Sequence, residues 1–423
     1  PRRPSGAAER GVLQEPLKIY HVSPTGSDAN GGTSWDDALA TIPAALAKDS
    51  AAYVLLADGI YPVTEMITLS GGATVAGDGA GCKAIVKATA RIADGSVFKL
   101  AHADARLLNI AVTTGYSGSG DFARGVYLDG KGLVDSCVIT NCRTHYCPGA
   151  GGGGVFLNQG GIVRNTLLDN NSTYASGGNN AQGHNVYMTG GSSLVENCVI
   201  TRGGKWYGAS SSGGGVWMEA GVLRNCLIAN NTQAHDNADG ATGVRISGGT
   251  MENCTIANNY HNVSIQTKGL YIYGNCTIRN CVVWGNVNND GEANWSARSG
   301  AAYTAARNCS APVFPGAGNI STDPCYADAA GGDFRLRYSG AVDTAVALDW
   351  MGAATDLDGN ARILGQGPDM GCYEFVASAL DCGFGVTTAG NLGADDVTLT
   401  ARVIGDNLEG LVYTWTVTDT FGA

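Results

Sequence analysis

The chain has 423 residues, 63 of them glycine, with a formal charge of −11 and only 15% charged positions. A coiled coil needs many more Lys, Arg, Glu and Asp, and a disordered tail carries fewer apolar residues than the 44% present. An isoelectric point near 4.9 without any basic run excludes a nucleic-acid binder, and no uninterrupted apolar stretch of about 18 residues is available to span a bilayer.

Residues 1–16 are polar and expected to be disordered. No apolar signal-peptide core precedes them, so the chain reads as mature or trimmed. From residue 17 to about 70 the pattern predicts a strand, a polar loop, one amphipathic helix and two more strands. The helix is expected to begin near Trp35 behind Ser34, with Ala38, Leu39, Ile42, Ala45 and Leu46 at helical spacing.

A nine-residue phrase then recurs: an apolar residue, a polar one, Asn, usually Cys, two β-formers and a turn. It reads VDSCVITNC from Val134, VRNTLLDNN from Val163, VENCVITRG from Val195, LRNCLIANN from Leu223, MENCTIANN from Met251 and IRNCVVWGN from Ile278. A fainter copy starts at Leu107. The Asn column (Asn109, Ser136, Asn165, Asn197, Asn225, Asn253, Asn280) steps by 27, 29, 32, 28, 28 and 27 residues. Between copies lies a second apolar run: GVYL at Gly125, GVFL at Gly154, NVYM at Asn185, GVWM at Gly215 and GVRI at Gly243.

Runs this short, rich in β-branched and aromatic residues and punctuated by Gly and Asn, are strands. A coil of about 27 residues cannot bury its own apolar face and must stack on its neighbours. The predicted fold is therefore all-β, a right-handed parallel β-helix whose first segment, residues 17–70, caps the exposed core with a helix. Stacking at about 4.8 Å turns columns into ladders. Asn165, Asn197, Asn225, Asn253 and Asn280 are predicted to pass amide hydrogen bonds along the stack, and Cys198, Cys226, Cys254 and Cys281 to fill the core as compact hydrophobes. The spacing offers candidate disulfides between Cys142 and Cys147, Cys309 and Cys325, and Cys372 and Cys382.

Chemistry is sought in the loops, which insert on one face of the solenoid. They bring Arg143, His145, Tyr146, Tyr174, Asn179, His184, Arg202, Lys205, Trp206, Tyr207, His235, Asp236 and Asp239. Aromatics, amides and cations suit a sugar chain, with Tyr146, Tyr174 and Trp206 stacking on pyranose faces and Arg143, His145 and Asn179 holding polar groups. If a lyase, Lys205, His184 or His235 would take the C5 proton, Arg202 or Arg143 would neutralise the carboxylate, and Tyr207 would return a proton. Asp236 and Asp239 suggest calcium, the one cofactor in view, although a solvated Asp/Asn turn explains them as well. A carboxylate pair for glycoside hydrolysis has too few candidates to prefer it.

The solenoid is expected to close over residues 355–375. After it, residues 376–423 read as a linker and the opening strands of a β-sandwich too short to be complete.

The opening YHVSPTGSDANGGTSWDDALATIPAAL, the VLLADGIY strand, the NC-containing coils and the closing TDLDGNARILGQGPDMGCYEF together resemble the right-handed parallel β-helix proteins that carry the choice-of-anchor Q domain, over about residues 17–375. The last segment, around Trp415, resembles an immunoglobulin-like or polycystic-kidney-disease-type module. The resemblance implies an exported, often surface-attached bacterial protein with pectate-lyase-like architecture, and it brings no catalytic residue set. Two readings follow: an extracellular or cell-surface scaffold that binds polysaccharide, with lateral self-assembly open to it, or a polysaccharide lyase acting on an acidic glycan.

Overall fold

The computed structural model describes residues 18–92, 95–114, 123–145, 151–174, 182–204, 214–233, 240–261, 268–377, 381–388 and 397–404. The chain winds as a right-handed parallel β-helix with three faces. The first face runs through strands Ser96–Leu100, Arg124–Asp129, Val155–Asn158, Val186–Met188 and Val216–Met218. The second runs through Arg106–Leu108, Leu133–Asp135, Gly161–Arg164, Ser193–Glu196 and Val222–Arg224. Strands Ala241–Glu252 and Lys268–Arg279 are each long enough to lie along both, joining the two faces into one eighteen-stranded sheet. The third face is a separate sheet of ten strands from Gly59–Val63 to Cys309–Ser310.

Alternation along each strand sends every second side chain inward. Val126, Val155, Val186, Val216 and Val244 stack in register on the first face and are wholly buried, as are Val134, Val163, Val195, Leu223 and Met251 on the second. Cys198, Cys226, Cys254 and Cys281 sit among them, fully buried, with each sulfur 3.1 to 3.3 Å from the carbonyl two residues before it.

The Asn column marks the bend between the second and third faces. Its members take left-handed backbone, φ running from 46° to 59° between Asn165 and Asn280, a conformation Asn tolerates and β-branched residues do not. The side chains form the expected ladder in two pieces. Asn225 donates to Asn197 at 2.7 Å and Asn197 to Asn165 at 3.3 Å, while Asn280 donates to Asn253 at 3.1 Å. The file is interrupted between Asn225 and Asn253. There, carbonyls of a returning segment take the donors, Thr355 from Asn225 and Asp369 from Asn253.

That returning segment, a strap, packs over the outside of the third face, where Phe334, Leu336, Met370 and Cys372 cover Leu227, Ala229, Ala257, Val282 and Cys309. The closing motif is pinned by a buried polar cluster: Arg362 and Glu374 lie 3.0 Å apart at 0% and 1% side-chain exposure, and Arg362 also donates to the Asp369 carbonyl.

Two expectations are corrected. The helix spans only Ile42–Lys48, because Leu39 bridges to Val22 as extended chain and Asp28 binds the Ala40 and Thr41 amides; Thr41 is the N-cap. Cys142, Cys309, Cys325 and Cys372 are free thiols, since Cys142, Cys309 and Cys372 point into packed interiors. Beyond the strap, Asp381–Thr388 and Val397–Ile404 pair as an antiparallel hairpin, and the Trp415 strand lies outside the described residues.

Candidate functional site on the outer face of the first sheet

The same alternation that buries the valines turns the intervening side chains outward. In register, rung by rung, these are Lys99, Tyr127, Phe156, Tyr187, Trp217, Arg245 and Tyr271. Two residues further along, a second row carries Asp129, Asn158, Thr189, Glu219, Ser247 and Tyr273, continued by Arg298 two residues after Ser296 on the next rung. Aromatic rings thus stand beside polar groups along one track, although packing leaves Phe156, Tyr187, Trp217, Arg245 and Tyr271 mostly buried.

The rings pack on each other. Tyr127 and Phe156 have centroids 5.3 Å apart, and Phe156 and Tyr187 are 4.7 Å apart and nearly parallel. Such cross-strand contacts stabilise a sheet whatever else they do. Polar atoms at the ring edges are organised around two carboxylates. Lys99 is 2.9 Å from Asp129, and Asn158 donates to the Tyr127 hydroxyl at 2.7 Å. Glu219 accepts from the Tyr187 hydroxyl at 3.0 Å and from the Trp217 indole at 3.3 Å. The Lys99 hydrogen bond holds the Asp129 carboxyl below its ordinary range, so it stays charged. Burial pushes the Tyr127 and Tyr187 phenols up, with Asp129 and Glu219 adding to it, so both remain donors.

Asp129 and Glu219 stand three rungs apart, about 14 Å at the usual strand spacing, well beyond the roughly 6.5–9.5 Å of an inverting glycosidase pair.

The loop residues expected to form a site are placed as follows. Strands Arg143–His145 and Ser172–Tyr174 do lie side by side, His145 opposite Tyr174 in backbone register. His184, expected as a base, is wholly buried, and its Nδ1 accepts from the Thr173 amide at 3.2 Å and from the Thr173 hydroxyl at 3.1 Å. Arg202 sits at a left-handed bend with its guanidinium forked onto the Asp169 carboxylate. Tyr146, Asn179, Lys205, Trp206, Tyr207, His235, Asp236 and Asp239 lie outside the described residues, and with them the calcium reading. Among the described residues no group of three or more His, Cys, Asp or Glu is placed to hold a metal.

The outward row was missed although its signal stood in the quoted GVYL, GVFL, NVYM, GVWM and GVRI runs, whose third residues form it. A second pattern also went unread: the polar residue before each Asn alternates in sign, Asp135, Arg164, Glu196, Arg224, Glu252, Arg279. In the fold these close as ion pairs, Asp135 with Arg164 at 2.8 Å, Glu196 with Arg224 at 2.6 Å and Glu252 with Arg279 at 2.5 Å.

Residues 124–310 match a family model described as right handed beta helix region. Among solved structures, pectate lyase Pel9A is 14% identical, with 84% of this chain and 96% of that one covered and a TM-score of 0.50. A rhamnogalacturonan lyase is 14% identical over 73% and 90%, TM-score 0.40, and a pectin methylesterase from Aspergillus niger is 15% identical over 78% and 93%, TM-score 0.36. At such identities the likeness concerns the β-helix fold. No curated protein matches the chain.

Proposed function

We propose that this β-helix is an extracellular or cell-surface scaffold that binds a polysaccharide along the outer face of its first sheet. The carrying observation is the outward row from Lys99 to Tyr271, in which Phe156, Tyr187, Trp217, Arg245 and Tyr271 pack on their neighbours and keep only 5–9% of their surface open, so that contact falls to their edges and to the more open Lys99, Tyr127, Asp129, Asn158, Glu219 and Tyr273. A sugar presents apolar C–H faces and a rim of hydroxyls, and ring edges beside carboxylates and amides meet both needs. The rungs also repeat along one axis, as a polymer does. A fold this widespread hosts many functions, so the reading rests on the side chains. No helix among the described residues is long and apolar enough to cross a membrane.

The second reading is a lyase, which needs a base at the C5 proton and a cation on the uronate carboxylate. Within the described residues His184 is enclosed and Arg202 is committed to Asp169, so that reading now rests on Lys205 or His235 as the base, Arg143 as the cation and Tyr207 as the proton donor. Lateral self-assembly and calcium at Asp236 and Asp239 stand as further proposals without a described contact.

A glycan array followed by titration of any hit tests the first reading, with Trp217→Ala and Glu219→Gln expected to weaken binding. Hits unaffected by both variants would remove the outer face as the site. Ultraviolet absorbance of unsaturated ends, released from the bound polymer and lost in Lys205→Ala, is the result that would favour the lyase instead.

A further inference from the structure

Four side chains at the distal end of the track form a single stack. The Arg245 guanidinium lies 3.8 Å from the Trp217 ring centroid and 3.8 Å from that of Tyr273, and the Arg298 guanidinium lies 4.3 Å from Tyr273. Register explains the order. Ile272 pairs with Ala297, which puts Tyr273 beside Arg298 on adjacent rungs, and the Arg298 amide donates to the Ile272 carbonyl at 2.8 Å.

The two arginines differ in exposure. Arg245 is 6% exposed and its Nη1 donates to Ser247 at 2.7 Å, so it serves as the filling of the stack. Arg298 is exposed and makes no ion pair among the described residues. Four other arginines of the coils are paired with carboxylates: Arg164 with Asp135, Arg202 with Asp169, Arg224 with Glu196, Arg279 with Glu252. Arg298 is held instead by an aromatic ring, which fixes the plane of its guanidinium without neutralising it and leaves the N–H fork at the edge for a ligand. A planar fork held in advance suits a two-oxygen anion, since little rotamer freedom is lost on binding.

We infer that Arg298, positioned by Tyr273, is the specificity residue for a negatively charged substituent on the glycan, a carboxylate or a sulfate ester. The inference rests on the binding reading above and names the substrate class that the same track selects. The site lies at the distal end of the row, so a bound polymer would set an acidic unit over Arg298 while its neighbours run toward Trp217 and Tyr187.

The test titrates the full chain by calorimetry with three oligosaccharides of equal length: a uronate, a sulfated and a neutral one. The uronate and sulfated arms identify which anion is preferred. Arg298→Ala is expected to weaken the preferred anionic oligomer about tenfold or more and to leave the neutral one within about twofold. Arg298→Lys keeps the charge but loses the fork, and is expected to restore only part of the binding. Tyr273→Phe keeps the ring and is expected to bind as the parent does, whereas Tyr273→Leu removes the support and is expected to weaken anionic binding while circular dichroism stays unchanged. Equal binding of neutral and anionic oligomers with a silent Arg298→Ala overturns this inference and leaves the glycan reading standing. Binding of none of the three sinks both.

Discussion

Asn185 and Gly203 offer the sharpest test of how the coils hold together. Inside the bend after the third face runs a second, fully buried amide file. Asn171 donates to Asn185 at 2.8 Å, Asn185 to Asn231 at 3.0 Å, Asn231 to Asn259 at 2.9 Å and Asn259 to Asn286 at 2.8 Å. Four of these five occupy the last position of the repeated phrase. In the third coil that position is Gly203, and the missing amide comes from Asn185, where other coils have Gly154, Gly215 and Gly243. The exchange is reciprocal: a Cβ on Gly203 would lie 2.5 Å from the Asn185 amide, and one on Gly215 would lie 2.8 Å from that of Asn231.

Asn185→Gly removes two amide bonds of the file and the donor to the Thr201 carbonyl at 3.1 Å, and it leaves a gap. With buried groups stranded at roughly 1–3 kcal/mol each and glycine adding chain entropy, the expected loss is about 3 kcal/mol. Gly203→Asn alone overpacks the slot and is expected to cost about 2 kcal/mol. The double exchange rebuilds the arrangement of the neighbouring coils and is expected to cost about 2 kcal/mol or less, not the sum of about 5. Urea titration read by circular dichroism and by fluorescence measures all three, with coincidence of the probes checking two-state behaviour. Additive losses in the double variant would refute the claim that the two positions share one slot.

Other expectations follow from the strap and the thiols. Burial pushes Glu374 up to about 8 and Asp369 up to about 6, with Arg362 pulling both the other way. The folded strap then keeps protons that the unfolded chain releases nearer pH 4 to 5, so the stability these two carboxyls contribute is fully present below about pH 4 and is lost as pH rises through about 6 to 8. The thermal midpoint should drop between pH 5 and pH 8, and Glu374→Gln, which cannot titrate, should flatten the slope; a midpoint that climbs over this range contradicts the assignment. Arg362→Leu leaves both carboxyls buried without their cation and should steepen the drop. Burial also pushes Cys137 and Cys142 up to about 12 and encloses the ladder thiols, whereas Cys325 is exposed and Cys82 half-buried. Native alkylation read by mass spectrometry should mark Cys325 and, more slowly, Cys82, with Cys226 and Cys254 labelled only after denaturation. Native labelling of Cys226 would mean the coils open more readily than their packing allows.

The recurrence of one phrase at a nearly constant interval was enough to specify the winding. Equivalent residues in a stack share one environment, so Asn165 to Asn280 and Cys198 to Cys281 revealed a bend and a core without any long-range information. Even the ion-pair file from Asp135 to Arg279 and the outward row from Tyr127 to Tyr271 were written in those columns, and reading the neighbouring positions for sign and aromaticity would have exposed them. What the chain order could not show is how distant, non-repeating segments meet. The strap crosses the third face and interrupts the Asn ladder at Thr355 and Asp369, more than a hundred residues from Asn225 and Asn253. His184 looks like a loop histidine in the sequence, yet stacking encloses it, and Arg202 finds Asp169 one coil earlier. Periodic contacts repeat a local rule and can be read from spacing; single contacts between unrelated segments depend on where the whole chain has already been laid down.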